Sequence, residues 1–147
     1  MTKFRLQQVL DYRQRREDEL RQRLVAAARA RAQSEERLVT LVADEQSRRN
    51  ELGQLLSGGR IDAAHIQEMG RVLDACGRAI IAQRQEVSRR AAFEEEERAR
   101  VTAAMSERKA LDKLRERHVE REVKEFNRRE AIVMEEIATA RAVRARL

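Results

Sequence analysis

The chain has 147 residues, of which 39% are charged and only 3% aromatic, with no proline and a formal net charge of +6. Phe4, Tyr12, Phe93 and Phe126, with scattered Leu, Ile and Val, cannot furnish a compact globular core, whereas the Arg, Glu, Ala and Leu bias is that of long amphipathic helices. The single cysteine, Cys76, excludes an internal disulfide. No apolar run approaches the roughly 20 residues of a membrane-spanning helix. No signal-peptide core follows Met1, so a cytosolic location is expected. High charge with few aromatics also marks disorder, but the missing proline, the few glycines and the regular spacing argue for folded helix.

Steps of three and four residues keep side chains on one helix face. From Leu6 such steps land on Leu10, Arg13, Glu17, Leu20, Leu24, Ala27, Arg31, Ser34, Leu38, Leu41, Glu45, Arg48, Leu52 and Leu55. The leucines arrive in pairs, and so do the polar interruptions. This predicts a first helix over about residues 4–56 with a patchy seam.

"SGGRI", residues 57–61, breaks the pattern once. Gly58 and Gly59 can take positive φ at little steric cost, so the chain can reverse there. Asp62 is a candidate N-cap, its carboxylate accepting from free amides of the next first turn. The second helix is predicted over about residues 62–146. Ile66, Leu73, Ile80, Val87, Glu94 and Val101 recur every seven, with Met69, Cys76, Ala104 and Leu111 at companion positions. A short connection between long helices makes them antiparallel neighbours. The expected fold is all-α: a single domain, 1–147, forming a long two-helix antiparallel coiled-coil hairpin. A turn centred on Gly59 would set Leu52 against Ile66 and Leu38 against Ile80.

The turn is off-centre, giving arms of roughly 80 Å and 130 Å at the rise of an α-helix. The hairpin partner is expected to run out near residue 114. Beyond it Val119, Val123, Phe126, Val133, Ile137, Ala140 and Leu147 still fall on one stripe. An unpaired helix of this kind is marginal in water, so the projecting C-terminal helix is expected to face another partner.

Signals of chemistry are weak. His65 and His118 have no Cys or His at ligand spacing, so no metal site is expected. Cys76 occupies a seam position, which makes a buried, inert thiol the expected state. "SGGR" lacks the strand and GK[ST] of a phosphate loop. Glu94, in "FEEEER", falls on the seam, where it would loosen pairing locally. Gly70 and Gly77, seven apart on one face, have two open readings: close packing against the first helix, or a shallow face for a partner. No nucleophile, acid–base pair or cofactor loop is recognisable, so neither catalysis nor a cofactor is expected. The positive charge suits acidic partners, but interspersed acids and scarce aromatics speak against nucleic acid.

Three stretches, in order, resemble the FliJ family, the small component of the flagellar type III export apparatus. They are "KFRLQQVLDYRQRRED", "LLSGGRIDAAHIQEMGRVLDACGRAIIAQRQEV" and "RKALDKLRERHVEREVKEFNRREAIVMEEIATAR", the last ending on Glu136, Ile137 and Ala138. The resemblance implies a non-enzymatic coiled-coil stalk, similar to the central stalk of rotary ATP synthases. It would bind the hexameric export ATPase through its termini, contact the membrane export gate protein and handle export chaperones, peripheral to the inner membrane. The implied gate contact is Val72, Cys76, Ala79 and Gln83; where the family often shows an aromatic, a leucine and a histidine, Val, Cys and Gln stand here. The candidates for the ATPase contact are Phe4, Leu6, Leu10 and Arg13, with Phe126, Arg128, Arg129, Glu136 and Ile137. Cys76 thus carries two competing assignments, seam and gate face. Alternative readings are the stalk protein of a virulence secretion system, a nucleic-acid-binding rod, or a structural homodimer burying its overhang.

Overall fold

The computed structural model describes residues 2–147; Met1, included in the expected single domain, lies outside the described residues. Helix α1 spans Gln7–Ser57 and helix α2 spans Ala63–Ala145, packed against each other as a helical hairpin, with no strand among the described residues. The bounds agree with expectation to within a residue or so except at the start, where helix begins at Gln7 rather than near Phe4. Ahead of it Thr2 turns its polar groups toward α2, and the Phe4 carbonyl accepts the Gln7 amide at 3.1 Å.

The reversal follows the chemistry of "SGGRID". Ser57 closes α1 by donating its hydroxyl to the Gly53 carbonyl at 3.0 Å. Gly59 takes φ +71°, in the left-handed region that only glycine enters cheaply. The Arg60 amide then reaches back to the Gly58 carbonyl at 2.9 Å, a γ-turn. Asp62 is the N-cap: one carboxylate oxygen accepts the amides of Ala64 at 3.1 Å and His65 at 3.4 Å, filling donors that a first helical turn leaves open.

Residue contacts group the chain into two units: Met1–Asp18 with Thr102–Leu147, and Glu19–Val101. In the second, Leu20, Ala27, Ile80 and Val101 are buried, and the expected seam positions from Leu24 to Leu55 and from Ile66 to Val87 are at least half-buried. No residue between Ala27 and Ile80 reaches full burial, so the seam is thinnest beside the turn. In the first unit Leu10 is completely covered, with Ala104 buried nearby in sequence to the half-buried Leu111. Burying one leucine contributes about 2 kcal/mol, and this seam has few such side chains to bury.

Polar seam positions are matched rather than exposed. Arg31 donates through Nε to Glu94, through Nη1 to Glu35 at 2.9 Å, and Arg98 adds a second contact to Glu94 at 3.2 Å. Arg108 bridges Glu17 and, at 2.5 Å, Asp112. Arg31 and Arg108 are held above the usual guanidinium value, Arg31 chiefly by its bond to Glu94 and Arg108 chiefly by its bond to Glu17. Gln83 crosses to the Ser34 carbonyl at 2.9 Å. Gln83 and Ser34 lie within one residue of the register of a turn centred on Gly59, while the long Arg31–Glu94 and Arg108–Glu17 bridges reach about two helical turns further along α2.

Glu97 is the exception. It is 1% exposed; Oε1 accepts from Arg100 at 2.8 Å, while Oε2 has no hydrogen-bond partner. A buried acceptor without a partner costs about 1–3 kcal/mol. Glu97→Met is therefore expected to stabilise the hairpin by about 1 kcal/mol, whereas Glu17→Met, which takes from Arg108 its one partner on α1 and leaves it only Asp112, is expected to destabilise it. Thermal melts followed by circular dichroism check both signs; a lower melting temperature for Glu97→Met overturns this account of the seam.

Candidate interaction surfaces

Three surfaces are left over once the hairpin has formed. The first is the end of α2. From Val123 to Leu147 every residue is exposed, and Val123, Phe126, Ile132, Val133, Met134, Ile137 and Val143 are among the large apolar side chains left in water. Arg128, Arg129 and Glu136 are exposed among them, Arg129 pairing with Glu125 at 3.2 Å. A helix whose apolar side chains are not covered by its own chain is a surface for another molecule.

The second surface adjoins it. The chain ahead of α1 continues along α2 past residue 114, so the pairing ends near Glu122 rather than where the length of the first helix alone predicts. Thr2 donates its amide to Glu122 Oε2 at 3.2 Å and its hydroxyl to Oε1. The Thr2 carbonyl lies 3.0 Å from His118 Nε2; because a carbonyl only accepts, the proton sits on that nitrogen. The Phe4 ring lies against the His118 ring, centroids 5.6 Å apart and tilted by 43°. The Thr2 hydroxyl, and then its amide, hold the Glu122 carboxyl below the usual carboxylate range. Phe4 is half-buried by this clasp, Leu6 remains exposed, Arg13 is half-buried with Glu107, and Leu10 is wholly buried beneath them. Spacing alone missed Thr2 and Glu122. The sign available was that Leu114, His118 and Glu122 share one face of α2, four apart.

The third surface lies early in α2. Val72, Cys76 and Gln83 are half-buried on the side facing α1, and Ala79 is exposed. Val72 helps line a depression of about 250 Å³ with Arg48, Leu55, His65 and Met69. The two glycines of this stretch are not spacers for helix packing, because a Cβ added at Gly70 or Gly77 would meet nothing within 4 Å. The close-packing reading of these glycines is thereby set aside, although both are half-buried on α2.

Among the described residues no group of His, Cys, Asp and Glu is arranged to hold a metal ion, and no helix is long and apolar enough to cross a membrane. The Cys76 thiol is free and half-buried.

The family model described as flagellar FliJ protein matches residues 2–147. No curated protein and no solved structure matches the chain.

Two outcomes follow from the geometry of these surfaces. Gly70→Ala and Gly77→Ala should each stabilise the hairpin by up to about 1 kcal/mol, since alanine lowers the helix cost and has open space to enter; denaturant midpoints measure this. The folded Glu122 carboxyl is more acidic than in the unfolded chain, so its contribution is complete above the ordinary glutamate range. It is lost as pH falls through the depressed value. The Thr2 amide resonance, followed by NMR from pH 7 downward, should therefore titrate below the ordinary glutamate range; a midpoint above that range overturns the clasp.

Proposed function

The chain belongs to the FliJ family and is a component of the flagellar export apparatus, and from that premise we propose that it is the stalk that couples the hexameric export ATPase to the membrane export gate. The observation that carries this reading is that every residue from Val123 to Leu147 is exposed, helical as far as the end of α2 at Ala145. A helix that presents Phe126, Val133 and Ile137 beside Arg128, Arg129 and Arg141 suits a lumen that is partly apolar and partly acidic. Phe4, Leu6 and Arg13 extend that contact from the N-terminal end, with Leu10 holding the seam beneath them. Glu136 and Ile137 lie further along the extension.

The gate contact is proposed on the early part of α2. Ala79 supplies the exposed centre, Val72 the wall of a depression, and Cys76 and Gln83 hold the surface from the side of α1. Export chaperones are further partners in this proposal. The protein itself performs no chemistry in it; it acts where it is recruited, on the cytoplasmic side of the export gate.

Removing residues 123–147 should leave the melting of the hairpin nearly unchanged, since none of those side chains is covered. The same deletion should weaken binding to the purified export ATPase at least tenfold, about 1.4 kcal/mol, in fluorescence anisotropy titrations. Equal affinity of the full and shortened chains for the ATPase overturns the stalk reading.

A further inference from the structure

The clasp of residues 2–6 on α2 leaves a depression of about 720 Å³, and its lining has an unusual charge pattern. Phe4, Leu6 and Leu114 form its apolar part; Lys3, Arg5 and Arg121 are the charged residues around them. The other depressions described on this chain each include at least one carboxylate: Glu51 and Glu68 by the turn, Asp112, Glu116 and Glu120 on α2, and Glu130 on the extension. Only cations rim this one. Glu122, which follows Arg121 in sequence, is taken up by Thr2. Lys3 and Arg5 have no carboxylate partner among the described residues, and Arg121 spends one donor on the Arg117 carbonyl at 3.3 Å.

We infer that this pocket is a docking site for an acidic amphipathic segment of a partner protein, one apolar side chain entering between Phe4, Leu6 and Leu114 while flanking carboxylates meet Lys3, Arg5 and Arg121. The chemistry selects this occupant. Leu6 and Leu114 are 39% and 41% exposed, so there is apolar surface still to cover, and three unmatched cations gain charge-assisted bonds only from an anionic ligand. A second copy of this chain is a poorer occupant: in its C-terminal extension the acids Glu130, Glu135 and Glu136 are flanked on both sides by cations, Arg128 and Arg129 before them and Arg141 after, which would be brought to the cationic rim. The inference deepens the ATPase contact proposed at Phe4 and Leu6 and rests on that reading only for which protein supplies the segment.

The test uses the full chain and a fluorescein-labelled amphipathic peptide of leucine and glutamate. A glutamine-for-glutamate version and phosphatidylglycerol vesicles serve as separate arms. The acidic peptide should bind saturably and weaken as salt rises. Lys3→Glu combined with Arg121→Glu should cut the affinity by at least about tenfold. Leu114→Ser should lower it while leaving all charges in place, and Arg84→Glu, on an exposed position of the other unit, should leave it unchanged. Circular dichroism confirms that each variant keeps its helix. Equal binding of the glutamine peptide, indifference to the double charge reversal or to Leu114→Ser, or binding to vesicles alone overturns the inference. Because no ATPase is present, failure here leaves the contact of residues 123–147 standing, and loss of that contact leaves this pocket standing.

Discussion

The whole arrangement depends on a seam with barely enough apolar surface to hold two helices together. Leucines and isoleucines reach it in pairs, separated by positions where arginine or glutamate must be accommodated. Each such polar position restricts sliding, because Arg31 finds Glu94 and Arg108 finds Glu17 in only one alignment. Polar residues in a coiled-coil seam commonly trade stability for a defined register. Here they fix which residue of α2 lies opposite the start of α1, and hence where covered helix gives way to bare helix.

That boundary is what the proposed stalk role rests on. A hairpin with equal arms would bury its apolar positions against itself and offer a partner only charged flanks. Because the turn lies well before the midpoint, α2 outlasts α1, and the short non-helical segment ahead of α1 is drawn out along it as far as Glu122. The N-terminal segment and the beginning of the bare helix therefore become neighbours within one unit. Separate contributions from the two ends of the chain to one partner surface then need no further folding event.

Much of this was legible in the sequence because helical periodicity is a local signal. Every position named from the three-and-four spacing of the first helix beyond Leu6 is at least half-buried, and the heptad positions of the second are too. The turn and its cap were equally legible, since two adjacent glycines followed by aspartate admit few conformations. What local spacing could not supply was pairing. The reach of residues 2–6 depends on hydrogen bonds to His118 and Glu122, more than a hundred positions away. Glu97 was passed over although it shares a heptad position with Ala104 and Leu111; a charged side chain in that place reads as solvent-facing until coordinates show it covered. Gly70 and Gly77 left two readings open, and only the empty space around an added Cβ separates them.

The bare stretch of α2 has a further consequence for how it meets a partner. A short isolated helix must first fix a costly initial turn, and sequences of this length seldom hold that state alone. Here the initial turns already exist, because the stretch continues without interruption from helix that is packed against α1. Adding residues to an existing helix is the inexpensive part of the helix–coil transition, so residues 123–147 can remain ordered before anything binds them. A partner then meets a rigid probe rather than a loose tail, and the entropy that a folding-upon-binding segment would lose at that moment has been lost in advance.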